Sequence, residues 1–284
     1  MIRRLVLGLC LLLVAPAQAA AIRLVDDVGH VLELPQPPQR IISLSPHLTE
    51  LLFAVGAGAQ IAGVDSASDY PAPARTLPRV GDYSRIHFER ILALQPDLIV
   101  VWVGGNRPVD IHALQQLGFP VLHTQATRLD DVARLLRLLG RASGHAIAGE
   151  SAAAAYSARL ARVRGRAGPP LRVFYQVWDR PLMTVGGTHW ISDALTRCGA
   201  HNVFADLQAL APTVSREAVL GRAPQLVVGS SDARDLRRAW LPFSRLPAVK
   251  NAAFVQVDAD RLHRLTPRLV EGVRELCAAV DAYR

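Results

Sequence analysis

Covalent chemistry needs particular side chains at particular spacings, and this chain offers few of them. It has no G-x-S-x-G elbow, no Walker-type phosphate loop and no H-E-x-x-H. Its nine histidines, at 30, 47, 87, 112, 123, 145, 189, 201 and 263, include no pair four residues apart. A helical metal site is therefore not expected, and no catalytic residue or cofactor is assigned. An α/β hydrolase would need the missing nucleophile motif. The groups that remain suit recognition. Asp260 and Arg264 stand four apart after an apolar run. They make either a local ion pair or polar contacts to a ligand's amide or phosphate groups. Glu89 and Glu217 are the sharper feature. Each precedes a proline by seven residues, Pro96 and Pro224, and an apolar run follows each proline. A carboxylate at the start of a helix suits the helix dipole, which explains either glutamate alone. The duplication supports a second reading, two acidic knobs that dock on arginines of a two-fold symmetric partner.

A duplicated unit calls for two halves and something to join them. The stretch 143–170 is rich in Ala, Arg, Glu and Leu, and ends on Gly165, Gly168, Pro169 and Pro170. It predicts one long joining helix over 144–168; about 20 helical residues would span roughly 30 Å. Ile22 to Leu34 alternates around Asp27-Val28-Gly29 as a hairpin would. Ser45-Pro46 opens a helix, with Ser as N-cap and Pro in the first position. On both sides of the joining helix, short apolar strands alternate with helical segments. That alternation predicts parallel sheets with helices on both faces. The expected fold is α/β: two Rossmann-like lobes, 20–143 and 169–284, bridged by the helix.

The N-terminus is of another kind. Arg3 and Arg4 precede the almost wholly apolar run from Leu5 to Val14, and Ala17-Gln18-Ala19 has small residues at a cleavage spacing. Residues 1–19 read as a signal peptide, too short and wrongly flanked for a membrane span. Export to the periplasm and a soluble mature chain are expected. Cys10 leaves with the leader, so Cys198 and Cys277 remain. An even pair in an exported chain reads as one disulfide, the alternative being two buried free thiols. The bond would close a loop of roughly 80 residues, for which loop entropy allows about 4–5 kcal/mol. The net charge of +8 comes almost wholly from arginine, with Lys250 the single lysine. These arginines are scattered and form no stripe with aromatics, so no nucleic-acid partner is expected. The chain is expected to be a monomer.

In open α/β sheets, ligands bind beyond the carboxyl ends of the strands. In the first lobe this rule selects Ser45, Pro46, His47, Asp69, Tyr70, Tyr83, Trp102 and Gly104. In the second it selects Trp178, Asp179, Ser230, Ser231, Asp260 and Arg264. The set is rich in aromatics, although these make up only 6% of the chain. It predicts a cleft between the lobes for a flat or bulky organic ligand.

Several motifs then agree with one family. They are Arg40-Ile-Ile-Ser-Leu-Ser-Pro46 with Thr49-Glu50-Leu51, Ser68-Asp69-Tyr70-Pro71, Glu89-Arg90-Ile91 with Pro96-Asp97-Leu98, and Trp102 with Gly104-Gly105-Asn106. Further on come Cys198-Gly199, Val214-Ser215-Arg216-Glu217 and Thr266-Pro267-Arg268. By these the chain resembles the periplasmic vitamin B12 (cobalamin)-binding receptors of bacterial ABC importers. They belong to the helical-backbone class of solute-binding proteins that also serves haem and iron-siderophores. The resemblance implies that Tyr70 and Trp102 line a corrin pocket. Tyr83 falls where the family often has tryptophan, and Met183 where it can show phenylalanine. Asp260 and Arg264 match polar positions facing the ligand. Glu89 and Glu217 match glutamates that meet arginines of the membrane permease, and Cys198 and Cys277 match the family's disulfide. One departure stands out: no tryptophan occurs at 209–211, ahead of Val214-Ser215-Arg216-Glu217. The second-lobe wall is therefore expected to be less aromatic. The implied ligand is cobalamin; the alternative is haem or a ferric siderophore, with Tyr70, Tyr83 and His47 as candidate iron ligands.

Overall fold

The computed structural model describes residues 21–284; the expected leader lies outside the described residues. A hairpin of β1 (Ile22–Val25) and β2 (Val31–Leu34) opens the chain. The first lobe follows as β3 (Ile41–Ser43), α1 (Pro46–Ala54), β4 (Ile61–Val64), α2 (Phe88–Leu94), β5 (Leu98–Trp102), α3 (Pro108–Gln116), β6 (Val121–Thr124) and α4 (Asp131–Ala142). A connecting helix, α5 (Ala146–Ala161), leads to the second. That lobe contains β7 (Leu171–Gln176), α6 (Trp190–Arg197), β8 (Ala200–Asn202), α7 (Arg216–Arg222), β9 (Leu226–Gly229) and α8 (Ala233–Trp240). It ends with α9 (Pro247–Lys250), β10 (Phe254–Gln256), α10 (Ala259–Leu262) and α11 (Leu269–Asp281). The sheets run β4-β3-β5-β6 and β10-β9-β7-β8, parallel throughout. Two α/β lobes with parallel sheets are thus the observed fold.

Strand periodicity explains the layering. Ile41, Leu98 and Val100 point into an inner core, while Ile42, Ile99 and Val101 point to an outer core with Val80 and Ile91. The second lobe repeats this. Val173, Tyr175, Leu226 and Val228 face inward, and Phe174 and Val227 face outward onto Phe204 and Trp240. The inner core is continuous from one lobe to the other through Leu136, Tyr156, Leu160, Leu269 and Val273. Side chains that alternate across a pleat must be covered on both faces, and here one covering layer serves both sheets.

The duplicated unit is reproduced in space. Glu89 and Glu217 each lie in the first turn of a seven-residue helix. Both helices stop on a left-handed cap, Gln95 (φ 46°) and Ala223 (φ 42°), just before the proline and the next strand. Proline restricts the residue before it against the helical region, which ends both helices at the same point.

The connecting helix departs from expectation. It covers 16 residues rather than 144–168, so its length is about 24 Å. Beyond Arg162 other bonds hold the backbone: Gly165 N–H donates to the Arg197 carbonyl (3.2 Å) and Arg166 N–H to Asp281 Oδ1 (3.0 Å). Continued winding would break both. The helix buries Gly149, Ala153, Tyr156 and Leu160 along one stripe. It lies close on α4, where a Cβ on Gly140 would meet Gly149 Cα at 2.8 Å. Cys198, at the end of α6, is bonded to Cys277 of α11 with their Cα atoms 4.6 Å apart. Gly140→Val is expected to force α4 and α5 apart and lower stability by about 1–3 kcal/mol. Urea denaturation reads this as a lower midpoint; an unchanged midpoint would refute the close-packing argument.

Candidate functional site

Each sheet changes winding direction at its middle, between β3 and β5 and between β7 and β9. Loops diverge there and leave a crevice at the carboxyl ends. Two sets of contacts show how the two crevices meet. Past β4, Asp69 Oδ1 accepts from Arg264 Nη1 (2.6 Å), which lies past β10. Past β6, Leu129 N–H donates to Asp193 Oδ2 (3.0 Å), at the start of α6 beside β8. Arg128 adds an ion pair to Asp193 at 3.3 Å. So the β4 end faces the β10 end, and the β6 end faces the β8 side. The ends of β3 and β5 must then lie opposite those of β9 and β7, with the cleft between two polar clasps.

The first clasp is the more elaborate. Glu50, on α1, is only 4% exposed. It accepts from Arg268 Nε (2.9 Å) and Nη2 (2.6 Å) and from Arg264 Nη1 (3.1 Å). Arg264 Nη2 pairs with Asp260 at 3.0 Å. The Arg264 hydrogen bond holds the Asp69 carboxyl below the usual carboxylate range. Arg268 also stacks on Tyr70, its guanidinium carbon 3.9 Å from the ring centroid. Thr49 Oγ1 bonds Ser43 Oγ and Ser68 Oγ, both at 2.9 Å, and so pins the Asp69–Tyr70 loop to β3 and α1. Beside the clasp is a cavity of about 550 Å³ lined by Glu50, Phe53, Tyr70, Arg159, Arg268 and Glu271.

Tyr83 and Trp102 gather in a second recess, of about 390 Å³, with Ser45, Asp65, Gly105 and Asn106. Asn106 accepts from Trp102 N–H (2.8 Å) and donates to the Leu44 carbonyl (2.8 Å), which ties β5 to β3. Gly105 lets its loop close over the indole; a Cβ there would lie 2.1 Å from Trp102 Cε3. His47 meets Trp102 edge-on at 5.1 Å between centroids. Ser45 holds the N-cap position of α1, but its hydroxyl turns to His47 Nδ1 (2.6 Å) instead of capping. Burial, aided by the Arg264 charge, lowers His47 to about 3, so the ring is neutral. Its Nε2 and the Trp102 Nε1 are both buried without a hydrogen-bond partner among the described residues. Burial also raises the pKa of Asp65.

The sequence-selected residues therefore form separate groups. Tyr83 and Trp102 share one recess, while Tyr70, Asp260 and Arg264 belong to the clasp. Met183 is half-buried and bridges Trp178 and Thr213 on the second lobe. Glu89 and Glu217 are exposed and line neither recess. Backbone N–H and Ser215 hydrogen bonds hold the Glu217 carboxyl below the usual range. Sequence reasoning passed over Glu50 and Arg268, which stood only as letters in a motif. The available signal was a lone carboxylate among mainly apolar residues, His47-Leu-Thr-Glu50-Leu-Leu-Phe53. Folding also gathers Asp26, His30 and His123, with ligand-type atoms within 4.8 Å of one another. There the Asp26 carboxylate already accepts from the backbone N–H groups of Val28, His30 and His123 and pairs with His123 Nδ1. Those bonds fix the hairpin to the edge strand β6.

Comparisons with known proteins give a consistent picture. A family profile described as periplasmic binding protein matches residues 41–260. The vitamin B12-binding protein of Vibrio cholerae serotype O1 is 38% identical over 252 residues, 87% of this chain and 91% of that one. The crystal structure of the periplasmic vitamin B12 binding protein of Vibrio cholerae superposes with a TM-score of 0.79 at 36% identity, covering 87% of this chain and 98% of that one. A periplasmic heme binding protein from Pseudomonas aeruginosa superposes with a TM-score of 0.72 at 26% identity, over 86% and 93%.

Burial of neutral histidines has a consequence for stability. His47 and His189 fall from an ordinary 6.5 to about 3 in the fold. Between those values only the unfolded chain takes up the proton, so stability is full above pH 6.5 and falls as pH drops toward 3. Each histidine contributes a slope of about 1.4 kcal/mol per pH unit in that window. His47→Asn is expected to remove one such share in urea titrations between pH 4 and 6. Equal slopes for variant and wild type would overturn the assignment.

Proposed function

We propose a receptor function from one premise: the chain belongs to the periplasmic binding protein family. In this reading the protein is exported, loses its leader near Ala19, and captures cobalamin or a related corrinoid between its lobes. It then hands the ligand to the membrane permease of an ABC importer. It acts as a monomer and releases its ligand unchanged. No helix among the described residues is long and apolar enough to cross a membrane.

The observation that supports the reading is the crevice at the strand ends between two clasps, with the Tyr83 ring left bare at its first-lobe rim. Tyr83 is 80% exposed, on a loop fixed at both ends. An aromatic ring so exposed is an unspent apolar surface. A corrin offers broad apolar faces and a rim of amides, and the cleft offers both complements. Tyr70, Tyr83, Trp102 and Met183 take the faces; Asp260 and Arg264 take the amides. The Cys198–Cys277 bond suits the oxidising compartment. Glu89 and Glu217, on equivalent helices of the two lobes, present carboxylates for arginines of a two-fold permease.

One observation favours a haem reading instead. The Tyr83 phenol is the kind of group that ligates iron, whereas His47 is shut beneath Trp102. A Soret shift on adding haemin, lost in Tyr83→Phe, would support it.

Purified mature protein at micromolar concentration is expected to shift the visible absorbance of cyano- or aquocobalamin and release heat on titration. Neither signal appearing would refute the corrinoid reading. Glu89→Ala with Glu217→Ala is expected to leave ligand affinity intact while lowering uptake through the permease in vesicles. Uptake at the wild-type rate would remove the docking role.

A further inference from the structure

Resting on the receptor reading, the geometry points to Trp178 as the second-lobe platform for a flat macrocycle, opposite Trp102. The chain has four tryptophans. Trp190 and Trp240 are buried and Trp102 is half-buried, but Trp178 is 63% exposed. Its ring is nevertheless anchored. Val177 N–H donates to the Met183 carbonyl (2.9 Å), and Met183 N–H donates to the Trp178 carbonyl (3.0 Å). Met183 in turn bridges Thr213, just ahead of α7. The indole Nε1–H donates to the Arg180 carbonyl at 3.1 Å, so its polar atom is used within its own loop. The faces of the ring remain unused.

The sheet order supplies the position. Trp178 follows β7, two strands from β10, whose following segment carries Arg264. Trp102 ends β5, two strands from β4, whose following loop carries Asp69. The Asp69–Arg264 pair is a common origin for both lobes. Two strand spacings put the ends of β5 and β7 about 10 Å from those of β4 and β10, one tryptophan on each lip of the cleft. Asp179 is taken up by Arg180 and Arg216, so no free charge stands beside the indole. A flat ring entering between the lips would stack on the exposed Trp178 face and meet the half-buried Trp102 across the cleft. In this reading Trp178, on the loop after β7, stands in for the tryptophan absent from 209–211.

The test is a cobalamin titration of mature wild type, Trp178→Ala and Trp178→Phe, read by ligand absorbance, with urea midpoints as a check on folding. Trp178→Ala is expected to bind about ten-fold more weakly or worse, and Trp178→Phe to recover most of the loss. Ligand-induced quenching of tryptophan emission is expected to shrink in Trp178→Phe. If wild type binds and Trp178→Ala binds equally well at an unchanged midpoint, the platform assignment is overturned while the receptor reading stands. If wild type itself fails to bind cobalamin, the receptor reading fails first.

Discussion

The buried carboxylate of Glu50 is the constraint on which the arrangement of the two lobes depends. A charge taken out of water is tolerated only when it is fully paired. Glu50 belongs to the first lobe, and its partners Arg264 and Arg268 belong to the second. The lobes cannot part at this point without leaving a carboxylate stranded in a nonpolar setting. The bidentate hold of Arg268 adds direction to attraction, because a planar guanidinium fits a carboxylate in few orientations. The pair therefore fixes geometry more than it adds stability. Stability comes from the apolar core that runs unbroken from one sheet to the other.

A shared core also limits motion. Where two lobes meet through a flexible linker, a ligand must drive closure and part of its binding energy is spent on ordering. Here α5 packs against α4 without room for a Cβ, and Arg159 of α5 pairs with Glu271 of α11. The Asp193 contacts close the far end of the cleft. The lips are held apart at a set distance before ligand arrives, and such preorganisation lowers the entropic cost of binding. It also keeps Glu89 and Glu217, on equivalent helices of the two lobes, at a fixed separation, as the proposed docking requires.

Much of this was legible in the sequence because it was repeated there. The Glu-to-Pro unit appears twice, and proline chemistry makes both copies end alike, so a duplicated α/β lobe could be read without coordinates. Strand-end positions were legible for the same reason, since a parallel sheet allows ligands at one edge only. What escaped depended on contacts distant in sequence. The end of α5 is set by Arg197 and Asp281, which no local propensity reports. The Ser45 hydroxyl left its capping duty because a buried histidine lay within reach. Glu50 and Arg268 are 218 residues apart, and nothing in either segment announces the other. The folded Asp26–His30–His123 group was hidden likewise.

The clasp also decides what Arg264 is able to offer a ligand. Its guanidinium is divided among Glu50, Asp69 and Asp260. Drawing it away from Glu50 would leave that buried carboxylate to Arg268 alone and cost one charge-assisted bond between the lobes. Asp69 and Asp260 are half-exposed, and water can replace Arg264 at either with little loss. Nη1 serves both Glu50 and Asp69, whereas Nη2 faces Asp260, so the Asp260 edge is the one that parts from its partner without loosening the clasp. One guanidinium thus carries the contacts between the lobes on Nη1 and a half-exposed pairing on Nη2. In the proposed complex the polar rim of the ligand would meet the clasp end of the cleft, and its flat face the span between Trp102 and Trp178.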